Sequence, residues 1–263
     1  MAHDIILIGI GLIIGFLSGL FGVGGSSIAT PVLRLIDIPR MIALASPLPV
    51  SLPTAVVGGI TYWKKGLVNT KAVFWTALGG VPTVALGAYL TTVVPGRVLM
   101  ALTGAFVMAV GIRVLSTREN KENKNETQTS SLTPIGNRWL FLIVGMITGV
   151  FSGLLANGGG FLLLPAYLLI FRFSPQEAAA TSLVAVAFLA LPGTWTHFVL
   201  GHIDWKIAGL MAIGVIPSTY AGARIGLSLD QKKARRLFGL FLLLFGLFFL
   251  TRTLYRAEHF GWY

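Results

Sequence analysis

The chain has 263 residues, of which 20 are Lys or Arg and 9 are Asp or Glu, for a formal net charge of +11. Hydrophobic residues make up 55% and charged ones only 11%, with mean hydropathy +0.81, whereas soluble domains carry about 25% charge. A soluble fold of this size has too little interior to hide that apolar surface, so the chain reads as an all-α polytopic membrane protein in a lipid bilayer. No cysteine is present, which removes disulfides, thiolate metal sites and cysteine nucleophiles. The basic residues cluster in loops between apolar runs, so they read as a topology signal and not as a nucleic-acid surface.

In chain order the apolar segments are 4–22, 26–36, 41–62, 70–92 and 96–115, then 137–155, 160–171, 177–199, 205–227 and 233–255. Two of them, 26–36 and 160–171, fall short of the roughly 20 helical residues that a hydrocarbon core requires. The N-terminal MAHDIILIGIGLIIG lacks a basic leader and an A-x-A cleavage signal, so it is expected to be a retained helix. Pro47, Pro49 and Pro53 crowd the third segment and predict a kink or local unwinding there. Between the halves lies the polar stretch Thr117 to Ser130, a linker. The expected division is a first membrane repeat over 1–115, a cytoplasmic linker over 116–136 and a second repeat over 137–263.

The repeat is read from the chain laid against itself. At an offset of 134, Gly11, Gly15, Gly19, Gly24, Gly25 and Pro31 fall on Gly145, Gly149, Gly153, Gly158, Gly159 and Pro165. At 135, Gly58, Thr61, Gly66, Gly79, Pro82 and Gly87 fall on Gly193, Thr196, Gly201, Gly214, Pro217 and Gly222. Chance apolar similarity would favour Leu and Val, not Gly and Pro. If each short segment forms a hairpin with the helix before it, each half crosses three times and 14 of the 20 Lys and Arg face one side. Counted as single broken spans, the division is 11 to 9. The positive-inside rule therefore favours hairpins, with both termini outside and the linker in the cytoplasm. Two full crossings per pair would give the same parity. An odd number of crossings makes the second half an inverted copy of the first, an arrangement that in secondary transporters holds substrate at the midplane.

Gly22-Val-Gly-Gly25-Ser-Ser27 and Ala156-Asn-Gly-Gly-Gly160 each join an apolar helix to a short one, so backbone must turn at membrane depth and line protein or a polar cavity. The short helix then begins with its N–H groups and positive dipole end directed into the gap. Gly24, Gly25, Ser26, Asn157, Gly158, Gly159 and Gly160 are thus candidate donors to an anion; the plainer alternative is a tight turn capped by Ser26 or Ser27. Ser46, Thr181 and Ser182 occupy matching positions in the next helix and are candidate supporting hydroxyls, unless they back-bond to helix carbonyls. Tyr62 and His197 are repeat-equivalent, and His197 is a candidate for contact with substrate or proton, against a merely interfacial role. The glycines four apart at 11, 15, 19 and at 145, 149, 153 read as helix-packing positions, and Trp63, Trp75, Trp139, Trp195 and Trp205 as interfacial anchors. None of the nine carboxylates falls mid-span, where proton-driven pumps place relay groups. No H-E-x-x-H or P-loop is present, so neither a catalytic metal nor a nucleotide is expected, and no cofactor.

The segment Gly15-Phe-Leu-Ser-Gly-Leu-Phe-Gly-Val-Gly-Gly25 ending at Pro31 resembles the signature of the TauE/SafE family of sulfite exporters and organosulfur permeases. Gly149-Val-Phe-Ser-Gly-Leu-Leu-Ala-Asn-Gly-Gly-Gly160 ending at Pro165 resembles its second copy. Thr181-Ser182-Leu183 is similar to the family's Thr-Ser-Leu helix, and Gly201-His-Ile-Asp-Trp205 to its Gly-x-x-Asp-Trp loop. The first half departs, with Ala45-Ser46-Pro47 where a Thr-Ser pair is usual, so its two halves are not expected to be chemically equivalent. The resemblance implies a cell-membrane transporter, not an enzyme, moving a small sulfur-containing oxyanion such as sulfite or a small organosulfonate. Export by alternating access is the expected mode; a passive anion channel, and less readily an intramembrane enzyme, are the alternatives.

Overall fold

The computed structural model describes residues 2–90, 108, 111–112, 114–116, 138–156 and 158–259. Among these every regular element is a helix: α1 (Ala2–Phe21), α2 (Ser26–Leu35), α3 (Arg40–Ala45), α4 (Ser51–Trp63), α5 (Thr70–Leu90), α6 (Arg138–Leu155), α7 (Gly160–Leu169), α8 (Pro175–Val199), α9 (Trp205–Ser228) and α10 (Gln231–His259). Five are long and apolar enough to cross a membrane, namely α1 from His3, α5, α6, α8 and α9. The short helices α2 and α7 have 10 residues each, about 15 Å of rise against a hydrocarbon core of about 30 Å. The expected segments 96–115 and 116–136 lie almost wholly outside the described residues.

The helix starts follow from local chemistry. Ser174 caps α8 in a capping box with Glu177, and Pro175 occupies the first turn, where its missing N–H costs nothing. Asp204 caps α9 through the amides of Lys206 and Ile207 at 2.8 and 3.2 Å, and Asn69 caps α5 through the amide of Ala72 at 3.0 Å. The apolar segment 41–62 forms two helices, α3 and α4, interrupted at the prolines. Between them, Leu48, Val50 and Ser51 bond three residues back to Ala45, Pro47 and Leu48, because Pro47, Pro49 and Pro53 bring no N–H to an α-helical ladder.

Two compact units divide the described chain. In the first, residues 1–93 and 137–229, α1 runs parallel to α9. A Cβ placed on Gly11 would meet the backbone of Met211, one on Gly15 that of Val215, and one on Gly19 that of Thr219 and Ala223. Helices α6 and α5 pack identically in register: Gly145 meets Thr76, Gly149 meets Gly80, and Gly153 meets Val84 and Ala88. Only residues without a side chain let the axes come this close. Every one of these contacts recurs 134 or 135 residues along the chain, the offsets of the sequence repeat. Helices α4 and α8 run antiparallel, since Gly58 packs on Leu183 while Leu48, before α4, packs on Gly193. The outer faces remain apolar, with Ile5, Ile13, Phe74, Leu86, Leu191, Trp195 and Ile213 exposed, as lipid contact requires. In the second unit, residues 94–136 and 230–263, α10 packs through Gly239 on Val114 and Leu115, and through Gly246 on Met108.

Candidate functional site

The two glycine turns bend in nearly the same way. Gly22 and Gly24 have φ of 72° and 77°, and their counterparts Ala156 and Gly158 have 47° and 66°, a left-handed conformation that a Cβ penalises. They differ at the helix N-cap, where Gly25 is right-handed at φ −69° and Gly159 left-handed at 78°. Both N-caps are glycines, Gly25 and Gly159, with no side chain to cap their helices. Asn157 lies outside the described residues.

The turns touch each other. A Cβ on Gly160, the first residue of α7, would strike the Val23 carbonyl, and Gly22 lies against the Ala179 backbone of α8. Gly158 faces Val186 of α8 and the Ser51 side chain. Ser51 Oγ in turn donates to Ser26 Oγ at 3.0 Å. Ser26, Ser51 and Gly160 are the first residues of α2, α4 and α7, so three helix N-termini begin within one cluster. Sequence reasoning finds two of them. The third exists because the proline-rich stretch restarts the helix at Ser51, and its signal is the density of Pro47, Pro49 and Pro53.

Buried hydroxyls surround the turns. Ser18 and Ser152, one turn before each glycine turn and repeat-equivalent, are 0% and 1% exposed and have no hydrogen-bond partner for their Oγ atoms. Ser152 Cβ lies 3.4 Å from where a Cβ of Gly159 would stand. Ser18 and Ser152 lie inside the glycine signature, where the surrounding glycines mark a packing face and nothing in the spacing singles out the hydroxyl. Among the side chains whose burial is described, no Asp, Glu, Lys or Arg is buried; those that are buried and polar are Ser, Thr, Tyr and His197. The cluster therefore offers dipoles and hydroxyls and no formal charge.

The other expected residues hold this cluster in place. Ser182 Oγ donates to the Gly22 carbonyl at 2.6 Å and approaches the Ala179 carbonyl at 3.2 Å, which ties the first turn to α8. Thr181 Oγ1 accepts the Asn69 amide at 3.1 Å, and Ser46 Oγ accepts the Asp204 amide at 2.9 Å. These two bonds are repeat-equivalent and cross between halves, each fixing the capping residue of the following long helix. That gives the Gly-x-x-Asp-Trp loop a physical role that its sequence does not disclose. Tyr62 donates to the Gly19 carbonyl at 3.0 Å, and His197 Nε2 takes the same position on the Gly153 carbonyl at 3.3 Å. His197 Nδ1 lies 3.2 Å from His202 Nδ1. Both ring nitrogens of His197 are thus engaged by protein.

The chain matches one known family over most of its length. The model of the family described as sulfite exporter TauE/SafE covers residues 7–249. The chain belongs to the TauE/SafE family. Relatives include the probable membrane transporter YunE of Bacillus subtilis, 25% identical over 87% of this chain and 89% of its own. A probable membrane transporter of Xylella fastidiosa is 29% identical over 95% of each chain. The archaeal probable membrane transporter MJ0441 of Methanocaldococcus jannaschii is 26% identical over 93% of this chain and 94% of its own. No solved structure matches the chain. Membership makes the protein a multi-pass membrane transporter.

Proposed function

We propose that this transporter carries a small sulfur-containing oxyanion, sulfite or a small organosulfonate, bound where the two glycine turns meet. The observation that carries this is the convergence of the α2, α7 and α4 N-termini on Ser26, Ser51 and Gly158 with the unpartnered hydroxyls of Ser18 and Ser152 nearby. Helix N-termini present N–H donors and a positive dipole end to an anion, and buried unpartnered hydroxyls are costly unless a ligand uses them. Gly24, Gly25, Ser26, Asn157, Gly158, Gly159 and Gly160 supply the donors; Ser46 and Thr181 retain hydroxyl protons of their own, while Ser182 and His197 position the turns. The family described as sulfite exporters supports the sulfur assignment.

The two halves are read as inverted repeats over 1–115 and 137–263, joined by a cytoplasmic linker at 116–136, with both termini outside. The antiparallel packing of the equivalent helices α4 and α8 and the duplicated glycine contacts support that reading. Alternating access follows as rocking of one half against the other about the central turns. Export is the favoured direction. An anion leaving a negative-inside cell moves downhill by about 2.3 kcal/mol per charge for each 100 mV. Binding calorimetry on purified protein with sulfite, sulfoacetate, taurine, thiosulfate, sulfate and chloride tests the assignment. Selective binding of one sulfur oxyanion that is lost in Gly159→Val is the expected result. Binding that survives Gly159→Val moves the site elsewhere, and a well-folded preparation that binds none of the panel removes the sulfur reading.

A further inference from the structure

The halves end their first helices differently. Tyr62 holds the Gly19 carbonyl, whereas at the equivalent place His197 holds that of Gly153. Because His197 Nε2 faces a carbonyl, it carries the hydrogen, and the neutral ring leaves Nδ1 as an acceptor. His202 Nδ1, 3.2 Å away, is then the donor of the bond between the rings. His197 is buried in α8, while His202 is partly exposed in the loop before α9. The partly exposed imidazole of His202 is thereby wired to a buried one that touches the second glycine turn's own helix, at Gly153.

Apart from the two histidines acting on each other, no carboxylate, Lys or Arg among the described residues acts on either ring. The Asp204 carboxylate is occupied by the Lys206 and Ile207 amides, and Lys206 pairs with Asp4 at 3.1 Å. On the packed helices, Lys71 and Arg138 start α5 and α6 at the ends opposite Gly153. Lys64 and Lys65 follow α4 at the end that antiparallel packing sets far from His197.

We propose that His197 and His202 form a proton-binding pair that takes up one proton as the anion binds, so that anion affinity is linked to protonation of the pair. This rests on the anion site proposed above. A proton from solvent forms the His202 Nε2–H bond; the His202 Nδ1–H bond breaks as that proton forms the His197 Nδ1–H bond. The pair gains one proton and one positive charge, and the bond between the rings persists with donor and acceptor exchanged. The charge then stands beside the Gly153 carbonyl at the C-terminal end of α6, where the helix dipole favours a cation, and about 16 Å along α8 from Val186, the residue that Gly158 faces. It raises the local potential for an anion at the turns. The first half has Tyr62 here, which keeps the carbonyl bond but has an ordinary pKa of about 10 and does not titrate in this range, so the coupling resides in one half only.

Burial holds His202 below the ordinary histidine range, so the empty carrier is neutral at this pair near pH 7 and gains its proton only with the anion. Proton uptake on binding means that affinity rises as pH falls, by up to about tenfold per pH unit. Calorimetry with a sulfonate of constant charge, from about pH 5 to about pH 8 and in buffers of different ionisation enthalpy, is expected to show close to one proton taken up per anion. In His202→Asn the amide still donates to His197 Nδ1 but binds no proton. Its affinity at the alkaline end is expected to stay within about threefold of wild type, with a flat pH profile. His197→Tyr, which installs the first half's arrangement, is expected to abolish the uptake as well. Anion binding in wild type without proton uptake, or uptake that persists in both variants, overturns the proposal. If folded wild type binds none of the anions, it is the anion reading that fails. Imidazole ¹⁵N titration then decides the pair: a His202 midpoint moved by His197→Tyr supports it, and an unmoved one overturns it.

Discussion

The Ser182 hydroxyl meets the Gly22 carbonyl at 2.6 Å inside the bundle, where no water replaces a lost partner. Ser182→Ala leaves that carbonyl unsatisfied and is expected to cost about 1–3 kcal/mol, read as a lower melting temperature in detergent. The glycines at the two N-caps differ in what a side chain would cost them. Gly159 is left-handed, and Leu189 Cδ1 and Thr148 Cγ2 both lie 2.9 Å from where its Cβ would stand, whereas Gly25 is right-handed and would meet only Ile14 Cγ2 as closely as 3.0 Å. Gly159→Ala is therefore expected to lose about 1–2 kcal/mol from backbone conformation alone, and Gly25→Ala markedly less. Equal losses in melting experiments would show that the turns do not differ as the backbone indicates.

At the level of elements, the break between α3 and α4 creates an N-terminus where the second half has the uninterrupted α8. In Pro47→Ala/Pro49→Ala the restored N–H groups allow the helix to continue through Ser51. Anion affinity is expected to fall by about fivefold while thermal stability holds or rises, because a helix end worth about 1 kcal/mol to an anion is removed. The glycine seams carry a second expectation. A methyl on Gly15 must push apart two helix backbones, whereas one on Gly9 meets nothing within 4 Å. Gly9→Ala should be neutral or stabilise by about 0.5–1 kcal/mol through helix propensity, and Gly15→Ala should destabilise. Melting curves of the two variants, made in the same helix, check the packing directly.

For the whole molecule the decisive matter is orientation. Lys65 and Leu200 are repeat-equivalent by the 135-residue offset and close the loops that precede α5 and α9. Inverted halves place them on opposite sides of the membrane; parallel halves place them on the same side. The chain has no cysteine, so Lys65→Cys and Leu200→Cys give single labelling sites without background. Inverted topology predicts that an impermeant maleimide labels residue 200 in intact cells and residue 65 only after the membrane is opened. Labelling of both from one side would refute the inversion.

The all-helical membrane class, the short helices after each glycine turn and the duplication were legible in the chain, because each depends on local quantities. Hydropathy over about 20 residues sets a span, a run of Gly forces a turn, and Gly and Pro recur at a fixed offset. The proline cluster likewise announced the break before Ser51. What only the tertiary structure decided was which hydroxyls bond to the backbone, which to another side chain and which are left without a partner. Thr181 and Ser46 brace capping amides 112 and 158 residues away, Ser182 braces a carbonyl 160 residues away, and Ser51 joins Ser26. Ser18 and Ser152 are left without partners. A hydroxyl has one proton and accepts from any direction, so its role is set by whichever backbone group the fold brings alongside, and nothing in its sequence neighbourhood records that.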